Sequence, residues 1–344
     1  MGNNVAARKK DFYISGMTED LNGGIFHCVW LDNCVQVRKF YPLERNLFLC
    51  WSPDKKTIYA SSQHAGVGFV SAFGVDENGS LELKNSIPAN GRSVCFLQCS
   101  ADGKYLYSAN YASGNISEFT INEDGSLDVL KQSISHVGSS IHPEQTSPHP
   151  HCCTFTPDNR YLCVADLGTD KLLLYPFDAE KGISSVAEKE YAVQPGAGPR
   201  HLIFDRDGRF AYLLCELGNL IMRFRYCDGE FEFIDTVSTL SEEGGNSSAS
   251  TLKFSSNGKF LYAGNRGHDT IAVYSVDHEG KLAIQRFYSS GGSSPRDFNI
   301  LDDIMIVANE FSGEAVFFKC DENSGAIFDL CGRISLPRPL YVLI

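Results

Sequence analysis

No stretch of this chain approaches the ~18 consecutive apolar residues that would cross a bilayer. The opening segment, MGNNVAARKKDFYISG, has no apolar signal core, and Ala6 stands where a myristoylation pattern needs Ser or Thr. Positive charge is in short supply, with 30 Lys and Arg against 42 Asp and Glu and a net charge of -12. Nucleic acid and anionic membranes are bound through excess Lys and Arg, so both are excluded as partners. A small anion is not excluded, because a local arginine cluster can sit inside an acidic shell. The chain has no Gly-rich nucleotide loop, and no cofactor is expected. It also has no C-x-x-C, although it holds 12 cysteines. Disulfide frameworks belong to short secreted chains. Cys50, Cys95, Cys99, Cys163 and Cys215 lie in apolar runs, where a thiol behaves as a small buried hydrophobe. These features together predict a reducing cytoplasm.

What the chain does have is a repeat. LFLCWSPDKKTIYASSQ from Leu47 recurs as CFLQCSADGKYLYSANY from Cys95, CCTFTPDNRYLCVADL from Cys152 and HLIFDRDGRFAYLLCEL from His201. It returns as TLKFSSNGKFLYAGNRG from Thr251 and, with an eroded turn, as DFNILDDIMIVANEF from Asp297. Aligning the third residue of the second strand gives Tyr59, Tyr107, Cys163, Tyr212, Tyr262 and Ile306. Each copy continues into an alternating third strand, a D-x-x-G-like turn and a fourth strand. Period-two alternation, Gly/Asp/Asn turns and a repeat of ~45 residues describe propeller blades. The N-terminus supplies three strands of a seventh blade, from Phe12, Gly23 and Cys34. The final segment RPLYVLI, from Arg338, reads as its missing first strand, and closing the ring would remove exposed sheet edges. The expected architecture is therefore an all-β, seven-bladed propeller forming one domain over 1–344. Its blades cover roughly 11–43 with 337–344, 44–90, 91–140, 146–195, 196–243, 246–291 and 292–336.

In a propeller the first strands line a central channel, and the loops at one end of them rim its mouth. Counting back from Phe155, Phe204, Phe254 and Ile300 places His151, Arg200, Ser250 and Arg296 at equivalent channel positions. His149 lies two residues earlier, and Pro150 stiffens the approach. Second strands end on short polar residues such as Asn265 and Asn309, which suit turns. The next residue varies between blades: Gln63, Tyr111, Leu167, Glu216, Arg266, Glu310. His151, Arg200, Glu216 and Arg266 are the expected catalytic set. His149, Arg296, Glu310, Tyr111 and Asn265 are expected to contact substrate. Arginines converging with carboxylates and a histidine suit a small anionic substrate and proton transfer. The competing readings are inter-blade salt bridges and a metal on the His-Pro-His pair. A catalytic zinc usually needs three protein ligands, the other histidines are scattered, and neighbouring arginines would repel a cation, so no metal is expected.

At these motifs the sequence resembles the seven-bladed propeller lactonases, which include the propeller-type 6-phosphogluconolactonases and fungal carboxymuconate-lactonizing enzymes. The residues that carry the resemblance are HPHCCTFTPDNRYLCVADLGTD at His149, GAGPRHLIFDRDGRFAYLLCELG at Gly196, ASTLKFSSNGKFLYAGNRGHDTIAVY at Ala249 and GGSSPRDFNI at Gly291. The resemblance covers nearly the whole chain. It implies that the family's functional histidine, two arginines and glutamate fall on the His-Pro-His histidines, Arg200, Arg266 and Glu216. The chain departs at Ser62-Gln63, where the family often has Asn-Glu, at Cys215, where Asn is usual, and at Glu310, where Gln is common. The resemblance implies hydrolysis of 6-phosphogluconolactone in the pentose phosphate route, with Glu216 or His151 activating water, in a monomer or weak homo-oligomer. One alternative is a cycloisomerase acting on a muconate-type dicarboxylate. Another is a non-catalytic binding propeller, although neither Trp30 nor Trp51 is followed by the Asp of that class's signature.

Overall fold

The computed structural model describes residues 9–32, 34–241 and 246–344. The signal and myristoylation readings rest largely on residues 1–8, which lie outside the described residues. The described residues form seven antiparallel sheets, the blades of a propeller. The second strands of blades 2 to 7 run over Thr57–His64, Tyr105–Asn110, Tyr161–Asp166, Phe210–Cys215, Phe260–Arg266 and Ile304–Asn309. Their third residues are those aligned from the sequence. The C-terminal strand Pro339–Leu343 pairs antiparallel with the N-terminal strand Lys10–Gly16, as Tyr13 opposite Leu343 and Ile14 opposite Val342. The ring is thereby closed by its two ends. Trp51 of blade 2 adds a hydrogen bond from Nε1 to the Ile344 carbonyl at 3.0 Å.

The turn between first and second strands is built the same way in four blades. The hydroxyls of Ser52, Ser100, Thr156 and Ser255 donate to Asp54, Asp102, Asp158 and Asn257 at 2.6, 2.6, 2.6 and 2.8 Å. Each also accepts the backbone N–H five residues on, at 3.0 to 3.1 Å. A short polar side chain that bonds nearby backbone in this way starts a turn. The left-handed residue it requires is Lys55, Gly103, Asn159 or Gly258.

The core is divided between the blade interfaces. Seven apolar clusters each join two neighbouring sheets, one pair after another around the ring. Tyrosine hydroxyls tie one blade to the next: Tyr13 to the Gly79 carbonyl, Tyr59 to Gly125 and Tyr212 to Gly280, at 2.8, 2.9 and 2.8 Å. Blade 3 instead uses Glu118, which is fully buried and accepts from Tyr107 Oη at 3.0 Å and from Ile183 N of blade 4 at 3.2 Å. The expectation of four strands per blade needs one correction. The outer strand of blade 4 is broken into Gly182–Ile183 and Lys189–Ala192, both paired to Lys171–Asp178. An edge strand carries only one ladder, so an interruption there sacrifices few hydrogen bonds.

Candidate active site

The first strands of the propeller are not regular where they meet the channel mouth. The register shifts between Val94 and Phe96, Pro150 and Cys152, Pro199 and His201, Ala249 and Leu252, and Pro295 and Asp297. The residues inside these bulges are Cys95, His151, Arg200, Ser250 with Thr251, and Arg296. The C-terminal strand shifts likewise around Leu340. A bulge leaves one residue out of the ladder and re-aims its side chain. Here most of these side chains turn toward the channel axis. His151, Cys95, Leu340 and Arg296 border one cavity of about 290 Å³, together with Leu47 at the start of blade 2. That volume is at the lower end for ligand sites and suits a small molecule.

The glutamates that follow the second strands of blades 5 and 7 face this cavity, as does Tyr111 of blade 3. Glu216 is clamped by two arginines. Arg200 Nε donates to Oε2 at 2.7 Å, and Arg266 Nη2 lies 2.7 Å from Oε1. Arg266 also donates to the Ala249 carbonyl at 3.2 Å. His151 Nε2 stands 4.0 Å from Glu216 Oε2, and its Nδ1 is buried with no hydrogen-bond partner among the described residues. Arg200 is 3% exposed and also donates through Nη1 to His201 Nε2 at 3.0 Å. In blade 7, Glu310 pairs with Arg296 at 3.8 Å and with Arg338.

These contacts settle the ionisation of the site. Burial would push the Glu216 carboxyl up, but Arg266, Arg200 and Arg296 outweigh it and hold it at about 2. Burial, reinforced by Arg200 and Arg296, pushes His151 well below the usual imidazole range. Burial also draws Arg200 down to about 9, against the pull of Glu216, which leaves it charged at neutral pH. The site thus holds an ionised glutamate, charged arginines and a neutral histidine. Cys95 is no nucleophile: burial lifts its thiol to about 12 despite Arg200 and Arg296.

The expected residues divide as follows. His151, Glu216, Arg296, Glu310 and Tyr111 border the cavity, and Arg200 and Arg266 reach it through Glu216. Two expected residues lie outside the cavity wall. Asn265 is fully buried and donates to the Thr239 carbonyl at 2.7 Å. Successive strand residues point to opposite faces, so Arg266 turns to Glu216 and Asn265 turns away to latch the blade. Asn309 does the same with the Ser290 carbonyl at 3.0 Å. His149 is not in the cavity wall either. Its ring stacks on Tyr111 at 4.3 Å, and Nδ1 donates to the Tyr111 carbonyl at 2.8 Å. It supports the tyrosine from behind. Gln63 likewise serves a loop, accepting Ser93 N–H at 2.9 Å.

Sequence reasoning missed Arg45 and Arg338, which border the cavity from blades 2 and 1. They lie two residues before Leu47 and Leu340. The signal was present: the same counting, applied to blades 1 to 3, reaches Leu340, Leu47 and Cys95. The backbone at the position two residues earlier is left-handed in five blades, at Arg338, Arg45, Ser93, Gly198 and Ser294.

The profile of the family described as "Lactonase, 7-bladed beta-propeller" matches residues 14–344. The chain is 33% identical over 302 residues to the 6-phosphogluconolactonase of Bacillus subtilis (strain 168), covering 86% of each protein. Among solved structures, the periplasmic gluconolactonase of Pseudomonas aeruginosa superposes with a TM-score of 0.92 at 28% identity, covering 97% of this chain and 98% of that one. A Lactobacillus plantarum protein superposes with a TM-score of 0.91 at 27% identity, covering 98% and 99%. The chain belongs to the seven-bladed β-propeller lactonase family.

Proposed function

We propose that this protein hydrolyses a small anionic sugar lactone, with 6-phosphogluconolactone as the substrate. The observation that carries the reading is the buried Arg200–Glu216–Arg266 cluster with a neutral histidine 4.0 Å from its carboxylate. Similarity to a 6-phosphogluconolactonase and to a gluconolactonase supports the reaction class.

The geometry divides the roles. Glu216 is a poor base, because both its oxygens are engaged by guanidinium groups and its carboxyl is held at about 2. His151 is neutral and accepts the proton of the attacking water. The water oxygen bonds to the lactone carbonyl carbon, and the C=O electrons move to the carbonyl oxygen. As the carbonyl re-forms, the bond to the ring oxygen breaks, and that oxygen takes the proton from the His151 imidazolium. The products are a carboxylic acid, which ionises, and a hydroxyl group. Glu216 stabilises the transient imidazolium and holds Arg200 and Arg266 in place. The arginines stabilise the developing oxyanion, where losing one donor costs ~2.7–4 kcal/mol.

The same arginines could hold the carboxylates of a muconate, so a substrate panel decides between hydrolysis and cycloisomerisation. The twelve cysteines are all free, which fits a reducing compartment. Among the described residues no helix is long and apolar enough to cross a membrane. The decisive assay is hydrolysis of freshly generated 6-phosphogluconolactone, coupled to its upstream dehydrogenase and corrected for spontaneous opening. An enzyme-dependent rate that Arg266→Ala lowers by ~10²–10³ in kcat is expected. Folded protein with no rate above background on this lactone would refute the substrate assignment.

A further inference from the structure

The cavity contains a second Arg–Glu–Arg triad laid out on the plan of the first. Glu216 and Glu310 occupy the same repeat position, directly after the second strands of blades 5 and 7. Each meets the bulge arginine of its own blade: Arg200 for Glu216 and Arg296 for Glu310. Each also meets an arginine from the next blade around the ring, Arg266 or Arg338. The two triads differ in depth. Arg200 is 3% exposed beside His151, whereas the side chains of Arg296 and Arg338 are 26% and 45% exposed at the mouth.

Arg45 adds a third guanidinium to the outer group. It borders the same cavity, pairs with the exposed Glu19, and its Nε is buried without a hydrogen-bond partner among the described residues. Arg45 and Arg338 adopt φ of 49° and 42°, a conformation that blade 5 meets with Gly198. Ser93 and Ser294 take the same conformation in blades 3 and 7, so it belongs to the repeat. Arg45 and Arg338 use it to place a guanidinium at the cavity.

We propose that Arg45, Arg296 and Arg338, ordered by Glu310, form a subsite for the anionic tail of the substrate, remote from the reacting ester. The proposal takes the identity of the reacting end from the hydrolase reading above. A phosphorylated sugar lactone has two chemically distinct ends, a neutral ester and an anion. The cavity has two matching ends, a deep one beside His151 and one at the mouth, where Arg45, Arg296 and Arg338 are partly exposed. Planar forks on the outer arginines suit an oxyanion held by several charge-assisted hydrogen bonds. Glu310 holds Arg296 and Arg338 in place and offsets one of their charges.

The test uses three six-carbon acids that differ at C6: gluconate (hydroxyl), 6-phosphogluconate (phosphate) and glucarate (carboxylate). Isothermal titration calorimetry on the full chain should show at least one tailed acid binding tenfold or more tighter than gluconate, by the strength of charge-assisted contacts (order of magnitude). The tighter of the two identifies the tail as phosphate or carboxylate. Arg45→Ala and Arg338→Ala should each reduce that preference by about tenfold. In the hydrolysis assay the kcat/KM preference for 6-phosphogluconolactone over gluconolactone should shrink with it. Both arginines are at the rim, and alanine fits their backbone no worse than arginine, so melting temperature verifies folding. Equal losses for tailed and untailed acids would overturn the subsite, as would an undiminished preference in both arginine variants. Protein that distinguishes the acids but hydrolyses neither lactone would uphold the subsite and sink the hydrolase reading.

Discussion

The identity of the base can be read from the pH dependence of turnover. A general base acts only when deprotonated, so the rate falls as pH drops through its pKa. If Glu216 were the base, kcat/KM would hold nearly flat down toward pH 2, where its carboxyl is held. With His151 as base, the acid limb lies well below the ordinary imidazole range, because burial, Arg200 and Arg296 disfavour the imidazolium in the free enzyme. Bound substrate changes this balance. A bound anion interacts favourably with the imidazolium. The limb in kcat should therefore sit above the limb in kcat/KM. The assay is a set of initial rates from pH 4 to 8 at low and saturating lactone, with spontaneous hydrolysis subtracted at each pH. His151→Gln should lower kcat by ~10²–10⁴ and erase the limb. An acid limb that survives unchanged in His151→Gln, or a kcat that this substitution leaves intact, would refute the assignment.

Two further outcomes concern stability. The Glu216 carboxyl is held at about 2, below its ordinary 4.5, which stabilises the folded state by an amount on the order of 3 kcal/mol. Its folded pKa is depressed, so this stabilisation is complete above pH 4.5 and is lost as pH falls toward 2. Urea unfolding should show Glu216→Gln destabilised by about 3 kcal/mol at pH 7, with the gap narrowing below pH 4.5; a gap independent of pH would rule out this linkage. Deleting residues 337–344 removes the buried Leu340, Val342 and Leu343 and reopens the ring. At ~1.5–3 kcal/mol per buried aliphatic side chain the loss rivals the ~5–15 kcal/mol stability of a typical protein. The truncated chain should be largely unfolded or aggregated by circular dichroism and gel filtration, and a cooperative melt near that of the full chain would contradict the closure argument.

Placing charge in this interior has consequences for how the two ends of the cavity differ. Arg200 is deep, desolvated and neutralised by a carboxylate it shares with Arg266, so removing Glu216 strands buried positive charge. Arg338 and Arg45 are near water, where losing a partner costs less and binding an anion gains more selectivity than stability. A fold built of repeats can assign these different duties to equivalent positions, because each blade's strand ladders are closed within its own sheet and its rim residues are left to vary.

The period of the repeat and the alternation within each strand were sufficient to read the seven blades, their second strands and the closing role of Pro339–Leu343. These depend on local patterning, and every blade restates them. The alignment of repeats also brought out His151, Arg200, Glu216, Arg266, Arg296 and Glu310, since equivalent positions in a ring converge on its axis. Tertiary structure decided what the pattern could not. Bulges, invisible in composition, turn the residues after Pro150, Pro199 and Pro295 toward the channel, while the pleat turns Asn265 away from it. His149 is withdrawn behind Tyr111 by a stacking contact that no spacing encodes. Arg45 and Arg338 are 293 residues apart in the chain and meet only because the ends of the chain close the ring. Above all, the clamping of Glu216 by two guanidinium groups depends on distances between blades. Those distances are set by packing across the interfaces, where burial and charge act together and the linear order of residues has no direct say.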